Sequence, residues 1–137
     1  SLMYSGYLLG VVTALLSTTF SKLAGGNHRT LVVGFEVYGF AIAMTAINDI
    51  IVLFAALFVF CGAMFLVHSI ATAWVNSLAG EKRRLVNALY LTFYYLGGVL
   101  GSVLPGLVYE SYGWNYFVTV LLLAALIGLV SIRKIKR

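Results

Sequence analysis

Five apolar segments, each of bilayer-crossing length, divide this sequence, and all but one of its charged residues lie in the short connections between them or in the tail. The segments cover Leu2–Phe20, Leu31–Ile47, Ile51–Ser77, Leu85–Tyr109 and Tyr116–Ile132, and are 17 to 27 residues long. About 20 helical residues cross a bilayer core, and shorter or tilted helices also occur. In lipid a backbone must satisfy its own hydrogen bonds, so segments of this kind are expected as helices. The connections carry turn chemistry: Gly25-Gly26-Asn27, Asn48-Asp49, Gly80 and Gly113.

The basic residues sort by side. Lys22 and Arg29 fall in the first connection, Lys82, Arg83 and Arg84 in the third, and Arg133, Lys134, Lys136 and Arg137 in the tail (133–137), which accounts for all 9. The second and fourth connections hold Asp49 and Glu110 instead. In a five-helix zigzag every Lys and Arg then lies on one side. The positive-inside rule predicts that this side is cytoplasmic, with the C-terminus inside and Ser1 near the outside. Tyr4 and Tyr7, and the cluster Tyr109, Tyr112, Trp114 and Tyr116, read as an interfacial aromatic belt at the opposite side.

Composition agrees. With 62% hydrophobic and 9% charged residues, there is too little polar surface to clothe a water-soluble globule. The net charge of +5 is juxtamembrane and does not form a nucleic-acid patch. The single cysteine, Cys61, excludes an internal disulfide. The first segment lacks a charged n-region and a small-residue cleavage site, so it does not read as a signal peptide. The chain reads as a piece of a longer one.

The interior of the segments carries the candidate chemistry. Cys61, Phe65, His68, Thr72 and Asn76 recur at helical spacing on one face of the third segment. Its polar members should face protein or a water-filled cavity. His68 can change charge near neutral pH; it reads either as a proton-coupling or substrate-binding group, or as a neutral histidine bonded to a neighbouring helix. In the fourth segment Asn87, Tyr90, Tyr94, Gly97 or Gly98, Gly101 and Pro105 share a face. Tyr90 and Tyr94 line a cavity or simply pack. Gly97/Gly101 and Gly98/Ser102 have the spacing of close helix contacts, and Pro105 is expected to kink the helix. Gly6, Gly10, Thr13 or Ala14, and Ser17 give the first segment a small-residue contact face, while the fifth, with Thr119 almost alone among polar residues, reads as a peripheral support. Glu36, inside the second segment, is expected to pair with Arg29 seven residues earlier as a structural or gating charge pair at the basic side, with substrate contact as the other reading. There is no metal-ligand spacing, no nucleotide loop and no nucleophile with a neighbouring base, so no enzyme and no cofactor are expected.

His68-Ser69, Ala73-Trp74, the basic loop and the run LYLTFYYLGGVLGSVLPGLVYESYGWN (89–115) together resemble the tenth to twelfth helices of major facilitator superfamily permeases. The likeness is strongest to bacterial inner-membrane drug-efflux and arabinose-efflux-type proton antiporters. Gly26, Arg29 and Leu31-Val32-Val33-Gly34 are similar to the second copy of the family's cytoplasmic loop motif. Leu23 stands where that motif has an acid, and Asn27 and His28 replace its other basic residues. The five segments would correspond to family helices eight to twelve. The resemblance implies an all-α fold of two six-helix halves around a central cavity, built from inverted repeats. This chain would supply most of the C-terminal half, and the N-terminal half and the seventh helix would be its missing partners.

The expected function is alternating-access transport of a small organic solute across the bacterial inner membrane, outward and coupled to protons. His68, Thr72, Asn76, Tyr90 and Tyr94 are the cavity candidates, and the glycine faces of the first and fourth segments are candidates for the rocking interface. Two rivals make different demands. A membrane scaffold would close the polar stripe of the third segment against its neighbours with no cavity, and an intramembrane enzyme would pair His68 with Glu36.

Overall fold

The computed structural model describes residues 5–135. Leu2, Tyr4, Lys136 and Arg137, which figure in the boundaries, belt and tail read above, lie outside the described residues. Six α-helices follow one another: α1 Ser5–Leu15, α2 Ser17–Ala24, α3 Asn27–Met44, α4 Ile50–Leu78, α5 Arg83–Tyr112 and α6 Trp114–Lys134. A single 3₁₀ turn, Gly80–Lys82, joins α4 to α5. No strand occurs among the described residues. Three helices, α4, α5 with its preceding turn, and α6, are long and apolar enough to cross a membrane, and α1 with α2 makes a fourth span if the bent pair is one crossing. α3 is not among them; its first turn carries Asn27, His28 and Arg29.

The first apolar segment is therefore not one helix. It breaks at Leu16, where α1 and α2 meet at 63°. Neither glycine nor proline stands there. The residues after the break are Ser17, Thr18 and Thr19, whose hydroxyls compete for backbone groups and whose threonines crowd the preceding turn. Backbone bonds survive on both sides, from Leu16 N to the Val12 carbonyl and from Phe20 N to the Leu16 carbonyl, each 3.0 Å. α2 then ends on Gly25, whose φ of 83° is the left-handed cap that favours glycine.

α4 is the central element. It packs against α1, α3 and α5, while α6 closes a ring by packing against α3 and α5. Gly6 and Gly10 of α1 lie directly against Cys61 and Phe65 of α4. Thr13 Oγ1 also donates across this contact to the Gly62 carbonyl at 3.0 Å. The small-residue face of α1 is thus occupied within the chain, rather than offered to a second half. Between α3 and α6, Ile42, Val118 and Ala125 form a buried core with Tyr38, Phe60 and Phe117 around it, and Gly128 admits the Phe35 ring. Asp49 starts α4, accepting hydrogen bonds from the amides of Ile51 at 2.8 Å and Val52 at 3.0 Å.

Contacts fix which helix ends meet. At one end Trp114 Nε1 donates to the Thr45 carbonyl at 2.8 Å, beside the rings of Tyr109 and Phe117. At the other, His28 Nε2 donates to the Ile132 carbonyl at 3.0 Å and meets Trp74 edge-on at 6.0 Å. The second end gathers the start of α3, the α4–α5 junction and the end of α6. The described Lys and Arg residues therefore sit at one end of the bundle, and the Trp114 cluster at the other.

Candidate functional site

The polar stripe of α4 is divided between two neighbours. Its upper part, Cys61 and Phe65, is covered by α1. Below that, His68, Thr72 and Asn76 form a ladder toward α5. Thr72 Oγ1 donates to the His68 carbonyl at 2.7 Å, and Asn76 Nδ2 donates to the Thr72 carbonyl at 2.9 Å. Asn76 Nδ2 also reaches Asn87 Oδ1 on α5 at 3.2 Å. One α5 turn further on, Tyr90 Oη lies 3.0 Å from His68 Nδ1. The hydroxyl can donate to that nitrogen or accept from it, so the pair persists in either tautomer.

Tyr94 completes the cluster. Its ring centroid is 4.4 Å from that of His68 and 6.4 Å from that of Tyr90. A cavity of about 210 Å³ opens here, lined by His68, Tyr90 and Tyr94 with Phe35, Tyr38, Met64 and Val67. His68 stands ten residues before the end of α4, about 15 Å along the helix axis, so an ionisable side chain and an aromatic-walled space coincide well inside a membrane-length helix. The arrangement can hold a flat or apolar molecule against the aromatic faces and offer it one imidazole and the phenols of Tyr38, Tyr90 and Tyr94. Phe35 and Tyr38 of α3 were not among the sequence candidates; the only available cue was their helical spacing on an otherwise apolar segment.

The charge pair differs from expectation. Glu36 pairs with Arg133 of α6 at 2.5 Å, not with Arg29. Helical side chains lean toward the helix N-terminus, so Arg29 leans away from Glu36, and its guanidinium lies against Gly25. Antiparallel packing of α6 on α3 brings Arg133 alongside instead. Both partners of the pair are about half exposed. Glu36 is also not the partner of His68, whose bonded neighbour is Tyr90.

His28, read from sequence only as a replacement in a loop motif, joins α3, α4 and α6 through Ile132 and Trp74. Pro105 is the one buried residue of α5 and does not divide it. Gly97, Gly98 and Gly101 meet nothing: a Cβ placed on any of them has no described neighbour within 4 Å. Among the described residues there is no group of His, Cys, Asp and Glu that could hold a metal ion.

A bundle with three or four helices long and apolar enough to cross a bilayer defines a multi-pass integral membrane protein. The profile of the Major Facilitator Superfamily matches residues 1–136, and the chain belongs to that family. The chain is 34% identical over 68 residues to the inner membrane transport protein YnfM of Escherichia coli, a match covering 47% of this chain and 16% of that protein. It is 29% identical over 94 residues, covering 66% of this chain and 23% of the relative, to an uncharacterized transporter of Buchnera aphidicola. A third relative, the uncharacterized MFS-type transporter YybF of Bacillus subtilis, is 33% identical over 75 residues, covering 53% of this chain and 18% of that protein. The matches span only 16–23% of the length of these relatives. No solved structure matches the chain. All three relatives are named as transporters.

Proposed function

We propose that the chain is most of the C-terminal half of a proton-coupled efflux transporter of the bacterial inner membrane. In this reading its five apolar segments are family helices eight to twelve, its basic end and C-terminus are cytoplasmic, and an N-terminal half and a seventh helix complete the cavity. Protons are the coupling ion, and the cargo is a small organic solute. The observation that carries the reading is the coincidence of His68, Tyr90 and Tyr94 around one cavity of about 210 Å³ at depth in α4. A pure scaffold has no use for an aromatic-walled space beside a titratable group at that depth. Thr72 and Asn76 extend the polar path from His68 toward the basic end. The open glycine face of α5, Gly97, Gly98 and Gly101, is where the other half would approach closely.

The test uses the full-length protein in vesicles containing a pH-sensitive dye. Gradients of a panel of amphipathic drugs and sugars are imposed, and proton movement is recorded for the parent and for His68→Ala. Substrate-driven flux in the parent that falls at least tenfold in a folded His68→Ala protein is expected. Undiminished flux in the variant sinks the role of His68 and leaves the transporter. Absence of flux with every substrate in the parent removes proton-coupled efflux.

A further inference from the structure

Where α4 hands over to α5, the basic end of the bundle contains a cavity of about 770 Å³ lined by Asn76, Glu81, Arg83, Arg84 and Asn87. We propose that this pocket is an anion-binding site that takes a carboxylate or phosphate group. The group comes either from an anionic lipid headgroup or from a soluble organic acid.

The pocket has a surplus of donors. Lys82, Arg83 and Arg84 follow one another in sequence against the single acid Glu81. None of the three cations forms an ion pair among the described residues, where the recorded pair is Arg133 with Glu36. Two of them face the same cavity with Glu81 as its single acid, so the lining carries a net positive charge that an anion would offset. Arg83 and Arg84 lie four and three residues before Asn87 on α5, which puts all three on one helix face. Asn87 spends its oxygen on Asn76 Nδ2, and its own amide N–H groups have no partner among the described residues. Two guanidinium forks and an amide donor suit the two or three oxygens of a carboxylate or phosphate. The first turn of α5 has no acidic residue to oppose an anion.

The pocket is an open cleft whose charged lining, Glu81, Arg83 and Arg84, is exposed, while Asn76 and Asn87 behind it are half-buried. Its inner wall is Asn76, the last rung of the ladder descending from His68, and not a loop in open solvent. A headgroup phosphate at the membrane surface can reach such a pocket between two helices, and so can a soluble acid. Glu81 is the one lining group that opposes an anion, and it is outnumbered by the two arginines.

The test uses the full-length protein in nanodiscs, so it does not depend on any transport assay. Calorimetric titration with benzoate and with inorganic phosphate reports soluble anions, and native mass spectrometry after delipidation reports retained phosphatidylglycerol. The variants are Arg83→Gln with Arg84→Gln, Arg83→Lys with Arg84→Lys, and the control Lys22→Gln at the same end of the bundle. The lysine pair preserves charge and topology while removing the forked geometry. The expected result is tenfold or greater loss in the glutamine pair, a smaller loss in the lysine pair, and none in the control. Loss confined to the soluble anions assigns the pocket to an organic acid, and loss confined to the phospholipid assigns it to a headgroup. Binding unchanged in the glutamine pair, an equal loss in Lys22→Gln, or no binding of any probe by the parent overturns the proposal.

Discussion

Gly10→Ala isolates the contact that seats α1 on α4. The new Cβ would lie 2.4 Å from Phe65 Cδ2 and 2.9 Å from Cε2 and Cγ, about 1 Å inside the 3.4 Å at which ordinary contact begins. The ring has little room to retreat. It sits edge-on against Tyr7, centroids 5.9 Å apart at 87°, and the Thr13 bond to the Gly62 carbonyl holds the two backbones together one turn away. Overpacking of this kind costs about 1–3 kcal/mol. Replacing a helical glycine by alanine returns about 1 kcal/mol, so a net loss of about 1 kcal/mol is expected. The decisive assay is a double-mutant cycle with Phe65→Leu, read by denaturant titration of the full-length protein in mixed micelles. If the phenyl ring is the obstacle, trimming it relieves the clash, and the cycle should show a coupling of about 1–2 kcal/mol. A Gly10→Ala protein at least as stable as its parent, with no coupling to Phe65, would refute the reasoning.

Two further perturbations test other joints. Glu36→Gln should couple to Arg133→Gln by less than about 1 kcal/mol, since both side chains are about half exposed and screened, and should not couple to Arg29→Gln at all. Coupling to Arg29 in the same denaturant cycles would restore the intrahelical pair. Asp49→Ala removes the two capping bonds at the start of α4 and should cost about 1 kcal/mol, with most of that recovered by Asp49→Ser. A melting temperature unchanged in the alanine variant would show that the cap is idle.

Much of the fold was legible because lipid simplifies the problem: length and apolarity alone mark a crossing helix. The apolar runs that became α4, α5 and α6 needed no further information. The break at Leu16 was hidden because hydropathy continues across it and no glycine or proline announces it. A run of one serine and two threonines is a weak local signal, and packing against α4 decides the rest. At the site, spacing alone put His68, Thr72 and Asn76 on one face, and Tyr90 and Tyr94 on another. That these two faces meet, and that Phe35 and Tyr38 close the cavity from α3, depends on how α3, α4 and α5 pack, which no periodicity encodes. Arg133 was missed as the partner of Glu36 for the same reason. It is 97 residues away in sequence, and only the antiparallel seating of α6 brings it near. His28 was passed over because its partner is a backbone carbonyl, and any residue can supply one.

The contacts between α3 and α6 have a mechanical consequence. Trp114 fastens the pair at one end, His28 and Glu36 fasten it at the other, and the Ile42, Val118 and Ala125 core fills the span between. Two rods joined at a single point can scissor, but two rods pinned at both ends cannot. α3 and α6 therefore behave as one strut, and the freedom to rearrange falls to helices with weaker ties. α5 is tied to α4 near Tyr90 and Asn87 and to α6 through Tyr109 against Trp114 and Phe117. It is bare along its glycines between, so that middle stretch is the part best placed to flex while the strut keeps its shape.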